Sequence, residues 1–168
     1  MQSEIQTLVN INSNYHLITI FGYALNSVPG IEILGIGAKG RLLKEKIVYL
    51  SRTRKLKIKP LKFVISIESD SALKEIPLKD IELPILLVFW HLAGLLPIDS
   101  LADCVCSGGI HINGEIKQPY LEEASLRTLL SRQKEIDHYK IISNKANPYL
   151  WNIDTSELLS HIPSLRIA

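Results

Sequence analysis

Three glycines in this sequence stand at a spacing that could bind phosphate. Gly35, Gly37 and Gly40 form a G-x-G-x-x-G pattern between a predicted strand and a predicted helix, the setting in which such a turn holds a dinucleotide. Arg41 and Leu42 follow where a P-loop needs lysine and serine or threonine, and no acidic residue is expected in a paired strand to bind a ribose. Two interpretations stay open: a strand-to-helix turn whose glycines need positive φ, which we favour, and a phosphate cradle.

A basic segment follows these glycines. The formal net charge is only +2 over 168 residues, but lysine and arginine are dense between Lys39 and Lys62, where Glu45 alone opposes them. Such density predicts phosphate contacts without base readout. The segment from Arg52 to Lys59 contains no aromatic residue, so a platform for stacking single-stranded bases is not indicated. The alternative is a solvated helix end and loop that keeps the protein soluble. The predicted nucleic-acid contacts are Lys39, Arg41, Arg52, Arg54, Lys55, Lys57, Lys59 and Lys62.

Thiols and imidazoles give weaker chemical signals. Cys104 and Cys106 alternate with Val105, and His111 is the nearby residue that could join them as a ligand. A zinc site would need more ligands than these, so we expect no metal and interpret the cysteines as reduced thiols of a cytoplasmic protein. The histidines are scattered and His91 falls in an apolar helix, where it is expected to be a hydrogen-bonded core residue. No G-x-S-x-G or H-E-x-x-H motif is present.

Length and hydropathy favour one soluble domain spanning residues 1–168. A chain of this size can bury a substantial core. Its start lacks the pattern of a signal peptide, and its most apolar run, 83–97, is too short to cross a bilayer. We therefore expect a cytoplasmic protein with no membrane partner.

The apolar periodicity predicts strands first and then helices alternating with strands. This order is typical of the α/β (α+β) class, with a mixed sheet and helices packed on it. Asp80 or Glu82 is expected to cap the central buried helix, with Pro84 in its first turn. Predicted strands are 5–11, 16–25, 31–34, 62–68, 104–107, 110–117 (with a tight turn at Asn113-Gly114) and 138–143. Predicted helices are 39–51, 83–95, 121–135 and 155–161.

Several short segments, in the same order, resemble the N-terminal domain of magnesium-chelatase subunit I and the ComM competence proteins. The segments that carry this resemblance are GIEILGIG (30–37), LKE (43–45), PLKFVI (60–65), ELPIL (82–86), AGLLP (93–97), SGGIHINGEI (107–116) and SNKAN (143–147). The family's "NLAPADLPKEG" is replaced here by the segment 68–77.

The resemblance implies a Lon-protease-like fold. In that family the module precedes an AAA+ ring motor, and this sequence has no Walker motif, so a stand-alone module is expected. True Lon proteases use a serine with a lysine base; here the serine position falls near Asp80 and the lysine position near Glu123. Ser69, Ser71 and Lys74 lie in the wrong part of the motif. The resemblance therefore implies no protease activity and no enzyme.

Three functions follow as expectations. The first is a non-catalytic Lon-like interaction module, accessory to an AAA+ ATPase or to DNA processing in competence or recombination. The second is a nucleic-acid-binding accessory that uses the basic face 39–62. The third is a nucleotide-binding enzyme that uses the loop 35–40. No cofactor is expected, and the expected partners are an AAA+ ATPase or another protein, DNA, or a second copy of the chain.

Overall fold

The chain begins with a long antiparallel hairpin. A computed structural model describes residues 1–68, 75–131, 139–145 and 151–168. Strands β1 (Gln2–Ile11) and β2 (Asn14–Leu25) pair along their whole length. Asn12 and Ser13 take positive φ, 52° and 65°, and close the turn between the strands. The two predicted strands and their turn are confirmed.

The remaining elements alternate helices with short strands. They are β3 (Gly30–Leu34), α1 (Ala38–Thr53), β4 (Lys62–Glu68), α2 (Leu78–Leu92), β5 (Cys104–Val105), β6 (Gly109–Ile110), β7 (Glu115–Lys117), α3 (Glu123–Ser131), β8 (Lys140–Ser143), β9 (Trp151–Asp154), α4 (Thr155–Leu158) and β10 (Arg166–Ile167).

Seven strands form one mixed sheet in the order β3-β4-β2-β1-β5-β8-β9. The pairs β4/β2 and β2/β1 are antiparallel, and the other neighbours are parallel. A second sheet has the order β10-β7-β6. The mixed α/β architecture predicted from the sequence is confirmed at this level.

Helix α2 forms the centre of the core. Its residues from Asp80 to Leu92 are buried all round, and Phe63 of β4 meets Phe89 edge-on with ring centroids 5.0 Å apart. Gly22 of β2 allows this close packing, because a Cβ there would lie 3.1 Å from side-chain atoms of α2. The prediction that this helix is buried and central is confirmed.

The predicted start of α2 is wrong. The helix begins at Leu78 after Pro77, which makes no side-chain cap hydrogen bond, and Asp80 and Glu82 lie inside it. Pro84 has no N–H to bond the Asp80 carbonyl. That carbonyl instead accepts hydrogen bonds from Gly108 N (3.1 Å) and Thr7 Oγ1 (3.2 Å). A proline is therefore tolerated inside this helix because a neighbouring segment satisfies the carbonyl that it leaves free.

The two faces of the large sheet are covered differently. Helices α1 and α2 pack on one face, whereas α3 covers part of the other through Leu126 and Leu130, which contact Leu8 and Val105. Cys104 and Cys106 face the main core, as their alternation with Val105 predicts. Helix α3 was predicted to reach residue 135, and residues 132–135 lie outside the described part of the chain.

Two strands were not predicted. β9 pairs in parallel with β8, and β10 pairs in parallel with β7. The hairpin β6–β7 turns at Asn113-Gly114 as predicted, with φ of +88° at Gly114, but it belongs to the second sheet rather than to the sheet of β5. The strand predicted from residue 138 begins at Lys140, and residue 138 itself lies outside the described residues.

Candidate functional site: a groove at the start of helix α2

A groove of about 380 Å³ lies where the first turn of α2 meets β1 and the β6–β7 hairpin. Its apolar wall includes Leu8, Ile110 and Leu121, and its polar lining includes Asp80. Lys79 and Lys117 are exposed at the rim. The groove therefore combines an apolar wall, two buried acids and a cationic rim, which is typical of a site that binds a chain segment or a small ligand.

Asp80 is the most unusual residue of this groove. Its side chain is held by the N–H of Asn10, which donates to Oδ2 at 3.0 Å, and the residue is only 5% exposed. Burial raises the pKa of its carboxyl above the ordinary value, although the Asn10 hydrogen bond and the charge of Lys79 act in the opposite direction. A carboxylate that is buried in a cleft with a raised pKa is a functional-site candidate, and this one also accepts the Asn10 N–H.

A second acid fixes the floor of the groove. Glu82 Oε1 accepts from Lys46 Nζ at 2.6 Å, and Glu82 Oε2 accepts from Ile110 N at 3.1 Å. A Cβ at Gly109 would lie 3.1 Å from that same Oε2. Glycine at 109 therefore lets β6 approach α2 closely enough for the carboxylate to bind the strand.

The hydroxyl groups nearest Asp80 are used by the fold. Ser107 Oγ donates to Leu8 O at 2.6 Å and accepts from Leu8 N at 3.1 Å, and Thr7 Oγ1 lies 3.4 Å from Ser107 Oγ. Both side chains are buried. Neither contacts a lysine or a histidine among the described residues, so neither has the base that would activate it as a nucleophile.

The positions implied by the Lon resemblance hold two acids in different settings. Asp80 lines the groove, whereas Glu123, at the start of α3, forms an ion pair of 3.1 Å with Arg127. The resemblance thus implies an acid near the serine position and another near the lysine position. Ser69, Ser71 and Lys74 lie outside the described residues.

Only some cations of the predicted basic face are exposed, and others bond groups of the protein itself. Lys39 Nζ donates to Ile76 O at 3.2 Å, and Lys62 pairs with Glu32 at 3.1 Å. The members of the predicted set that remain exposed are Arg41, Arg52, Lys55, Lys57 and Lys59; we call them the basic strip.

Arg54 is not part of this strip, because it turns inward. Its guanidinium donates to Thr53 Oγ1 at 3.1 Å and to Ser164 O at 3.4 Å, and burial lowers its pKa from the ordinary value. Its Nε has no hydrogen-bond partner in the described part of the chain. Arg54 therefore anchors the end of α1 to the C-terminal segment, and its replacement would perturb the fold.

The glycine loop has the geometry that the turn interpretation predicts at two of its three positions. Gly35 and Gly37 have φ of +93° and +57°. Gly40 lies inside α1, where a Cβ would be 2.8 Å from Ile33 O, so its role is close helix–strand packing. The expectation that no acidic residue follows in a paired strand is wrong: β4 pairs in parallel with β3 and ends at the exposed Glu68.

The remaining candidates, His91, Cys104 and Cys106, are buried residues of the core. His91 is a hydrogen-bonded core residue, as predicted: Nδ1 lies 2.9 Å from Ser3 Oγ and Nε2 lies 3.2 Å from Asp99 O. Cys104 and Cys106 are free and buried, and burial raises the pKa of Cys104 to about 12. Both are therefore poor nucleophiles.

The described residues offer neither a metal cluster nor a membrane-spanning helix. They contain no group of three or more histidine, cysteine, aspartate or glutamate side chains placed to hold a metal ion. Within the same ranges, no helix has both the length and the apolarity needed to span a bilayer.

Sequence reasoning missed the groove as a unit. Its residues come from β1, the start of α2 and the β6–β7 hairpin, which are far apart in sequence. The signal that could have found it is Asp80, which the Lon resemblance implies to lie near the serine position, together with Pro84 that follows it. A comparison of the sequence with models of known protein families and with characterised proteins finds no match.

Proposed function

We propose that this chain is a non-catalytic Lon-like interaction module, and that it binds a segment of a protein partner in the groove at the start of α2. The observation that carries this proposal is the buried Asp80 carboxylate, which lies beside an apolar wall, with Lys79 and Lys117 at the rim of the groove. A partner segment would place an apolar side chain on Leu8 and Ile110. Its acidic groups would face the two lysines, and a donor would face Asp80.

The chemistry of the groove favours binding over peptide cleavage. A Ser-Lys mechanism needs a hydroxyl within reach of a neutral amine. Asp80 offers a carboxylate instead, and the neighbouring hydroxyls of Thr7 and Ser107 are bonded to main-chain groups. We expect no hydrolysis of a fluorogenic casein substrate by the purified chain, and cleavage that Thr7→Val or Ser107→Ala abolished would contradict the proposal.

The resemblance supplies the class of partner. In the magnesium-chelatase and ComM family this module works beside an AAA+ motor, so we propose a ring ATPase as the partner, with DNA processing in competence or recombination as the setting.

Affinity capture with matched variants tests this proposal. The groove variant is Lys79→Glu with Lys117→Glu, and the matched control is Lys55→Glu with Lys57→Glu, which makes the same charge change on the basic strip. We expect one protein, identified by mass spectrometry as an ATPase, to bind the native chain and the control but not the groove variant. A partner that both variants retain would show that the groove is not its site.

A second function is supported by the basic strip. Arg41 and Arg52 lie on one face of α1, about 16 Å apart along its axis at the usual rise per residue, and the three exposed lysines continue from its end. We propose nucleic acid as the alternative ligand of this surface, bound through phosphates alone. Fluorescence anisotropy with labelled single- and double-stranded DNA across a salt series tests it.

A further inference from the structure

Half of strand β1 has an open edge. β1 pairs with β2 from Gln2 to Ile11, but with β5 only at Gln6, which faces Val105. Gln6 O accepts from Cys106 N at 3.0 Å, so the main-chain groups of Gln6 point toward β5. Those of Gln2 and Glu4 point the same way, because alternate residues of a strand share an edge. In the described part of the chain these groups have no hydrogen-bond partner.

The odd-numbered residues of β1 confirm this orientation, because their main-chain groups face the other edge. Met1 O accepts from Ala24 N at 3.1 Å, which places the odd-numbered residues of β1 on the β2 side. An unpaired strand edge of this kind is a template for another extended chain.

A cleft of about 400 Å³ lies along this open edge. Its lining includes two exposed acids, Glu4 and Asp99, and two rings, Phe21 and Tyr23, each 38% exposed. The lining contains no lysine or arginine. Glu4 stands directly opposite Phe21 in the β1–β2 register, so a carboxylate and an aromatic face lie side by side on one face of the sheet. Carboxylates and aromatic rings together favour a cation.

The far wall of the cleft is fixed by a buried pair. Because a carbonyl only accepts, Nε2 of His91 donates to Asp99 O, and Nδ1 lies 2.9 Å from the Ser3 hydroxyl. Ser3 and His91 are buried at 8% and 6% exposure. This bridge holds the segment 99–102 beside the β1 edge, so the cleft is formed before a ligand arrives.

We propose that this cleft binds an extended basic peptide of a partner, which adds as a strand to the open edge of β1. The main chain of the peptide bonds Gln2 and Glu4. Its arginine or lysine side chains lie on the outer face of the sheet, against Glu4, Asp99 and the ring of Phe21. Residues between these cations point toward Ser3 and Leu101, which also line the cleft. The site is separate from the groove at α2 and does not depend on it.

Fluorescence anisotropy with a labelled Arg-Ala-Arg-Ala-Arg peptide tests this site. We expect saturable binding to the native chain that weakens at least tenfold in Glu4→Gln with Asp99→Asn, about the loss that two weakened charge contacts produce. The matched control is Glu32→Gln with Glu68→Gln, which removes two carboxylates elsewhere on the same sheet and should change affinity less than about twofold.

Two modified peptides separate strand addition from charge attraction. Replacing arginine by citrulline should abolish binding. In a peptide that runs parallel to β1, as β5 does, the alanine N–H groups are the donors to β1, so N-methylation of the alanines should weaken binding about fivefold. Hydrogen exchange should show new protection of the Glu4 amide in the complex. The proposal is overturned if millimolar peptide does not bind, if both charge variants bind equally well, or if the Glu4 amide stays unprotected at saturation.

Discussion

The ammonium group of Lys46 on α1 lies 2.6 Å from Oε1 of Glu82 on α2, and both side chains also bond the main chain of Ile110. This contact joins two helices to the second sheet beneath the groove. Glu82 is almost fully buried, so its charge depends on Lys46 for compensation.

Removing Lys46 should therefore destabilise the protein. We expect Lys46→Met to lower the free energy of unfolding by about 2–3 kcal/mol, because it leaves a buried carboxylate unpaired. Urea denaturation followed by circular dichroism measures this. Lys44→Met, on the same helix but without such a partner, should change stability by less than about 0.5 kcal/mol. Equal effects of the two substitutions would contradict the assignment.

The buried Asp80 should make stability depend on pH. Because burial raises its pKa in the folded state, the folded protein binds more protons than the unfolded chain between the two pKa values. Stability contributed by Asp80 is thus present at low pH and is lost as pH rises through that window. We expect Asp80→Asn, which keeps an acceptor for the Asn10 N–H, to equal or exceed the native stability at pH 7 by up to about 1 kcal/mol.

Thermal unfolding of Asp80→Asn and native protein between pH 4 and 8 measures this difference. Asp99→Asn makes the same substitution at an exposed carboxylate and serves as the matched control. An Asp80→Asn protein that is less stable than native protein across the whole range would show that the charged form stabilises the fold.

The basic strip gives a quantitative expectation for DNA. Its five exposed cations set an upper limit of about −4.5 for the slope of log affinity against log salt on duplex DNA. Lys55→Glu with Lys57→Glu should reduce that slope by about 2 and weaken binding at low salt. Arg54→Glu is unsuitable as a test, because its guanidinium is buried against Ser164. Absence of binding at low salt would remove nucleic acid from consideration.

The glycine loop leads to a calorimetric expectation. Gly35 and Gly40 are explained by contacts with Ile67 and Ile33, and Arg41 and Leu42 follow where a P-loop needs lysine and serine or threonine. We therefore expect no heat on titration with ATP, GTP or NAD. Glu68 at the end of β4 makes NAD the most informative of the three. Heat with NAD that Glu68→Gln abolished would contradict the turn interpretation.

The sequence pattern predicted correctly the elements that are determined by neighbouring residues. Strand β4 has its predicted bounds, and the hairpin β1–β2 turns where Asn12 and Ser13 indicated. The start of α2 was misplaced because Pro84 is a helix-start signal, and only the non-local contact between Asp80 O and Gly108 N makes it acceptable inside the helix. Strands β9 and β10 are short and owe their existence to pairing with distant strands.

The candidate sites were less predictable than the fold. The sequence indicated a basic face, but it could not show that Arg54 turns inward or that Lys62 pairs with Glu32. No local signal showed that Glu68 ends a strand paired with β3, because that parallel pairing joins segments on either side of α1. The groove and the cleft both join residues that are more than 60 positions apart, and such juxtapositions have no local signal.

Site-specific photo-crosslinking tests the central proposal most directly. A p-benzoylphenylalanine would replace Lys117 at the rim of the groove, or Lys57 on the basic strip, and cells expressing each protein would be irradiated. We expect one dominant protein adduct from position 117, identified as an AAA+ ATPase, and no such adduct from position 57. An adduct that forms from position 57 and not from position 117 would contradict the assignment of the groove as the partner site.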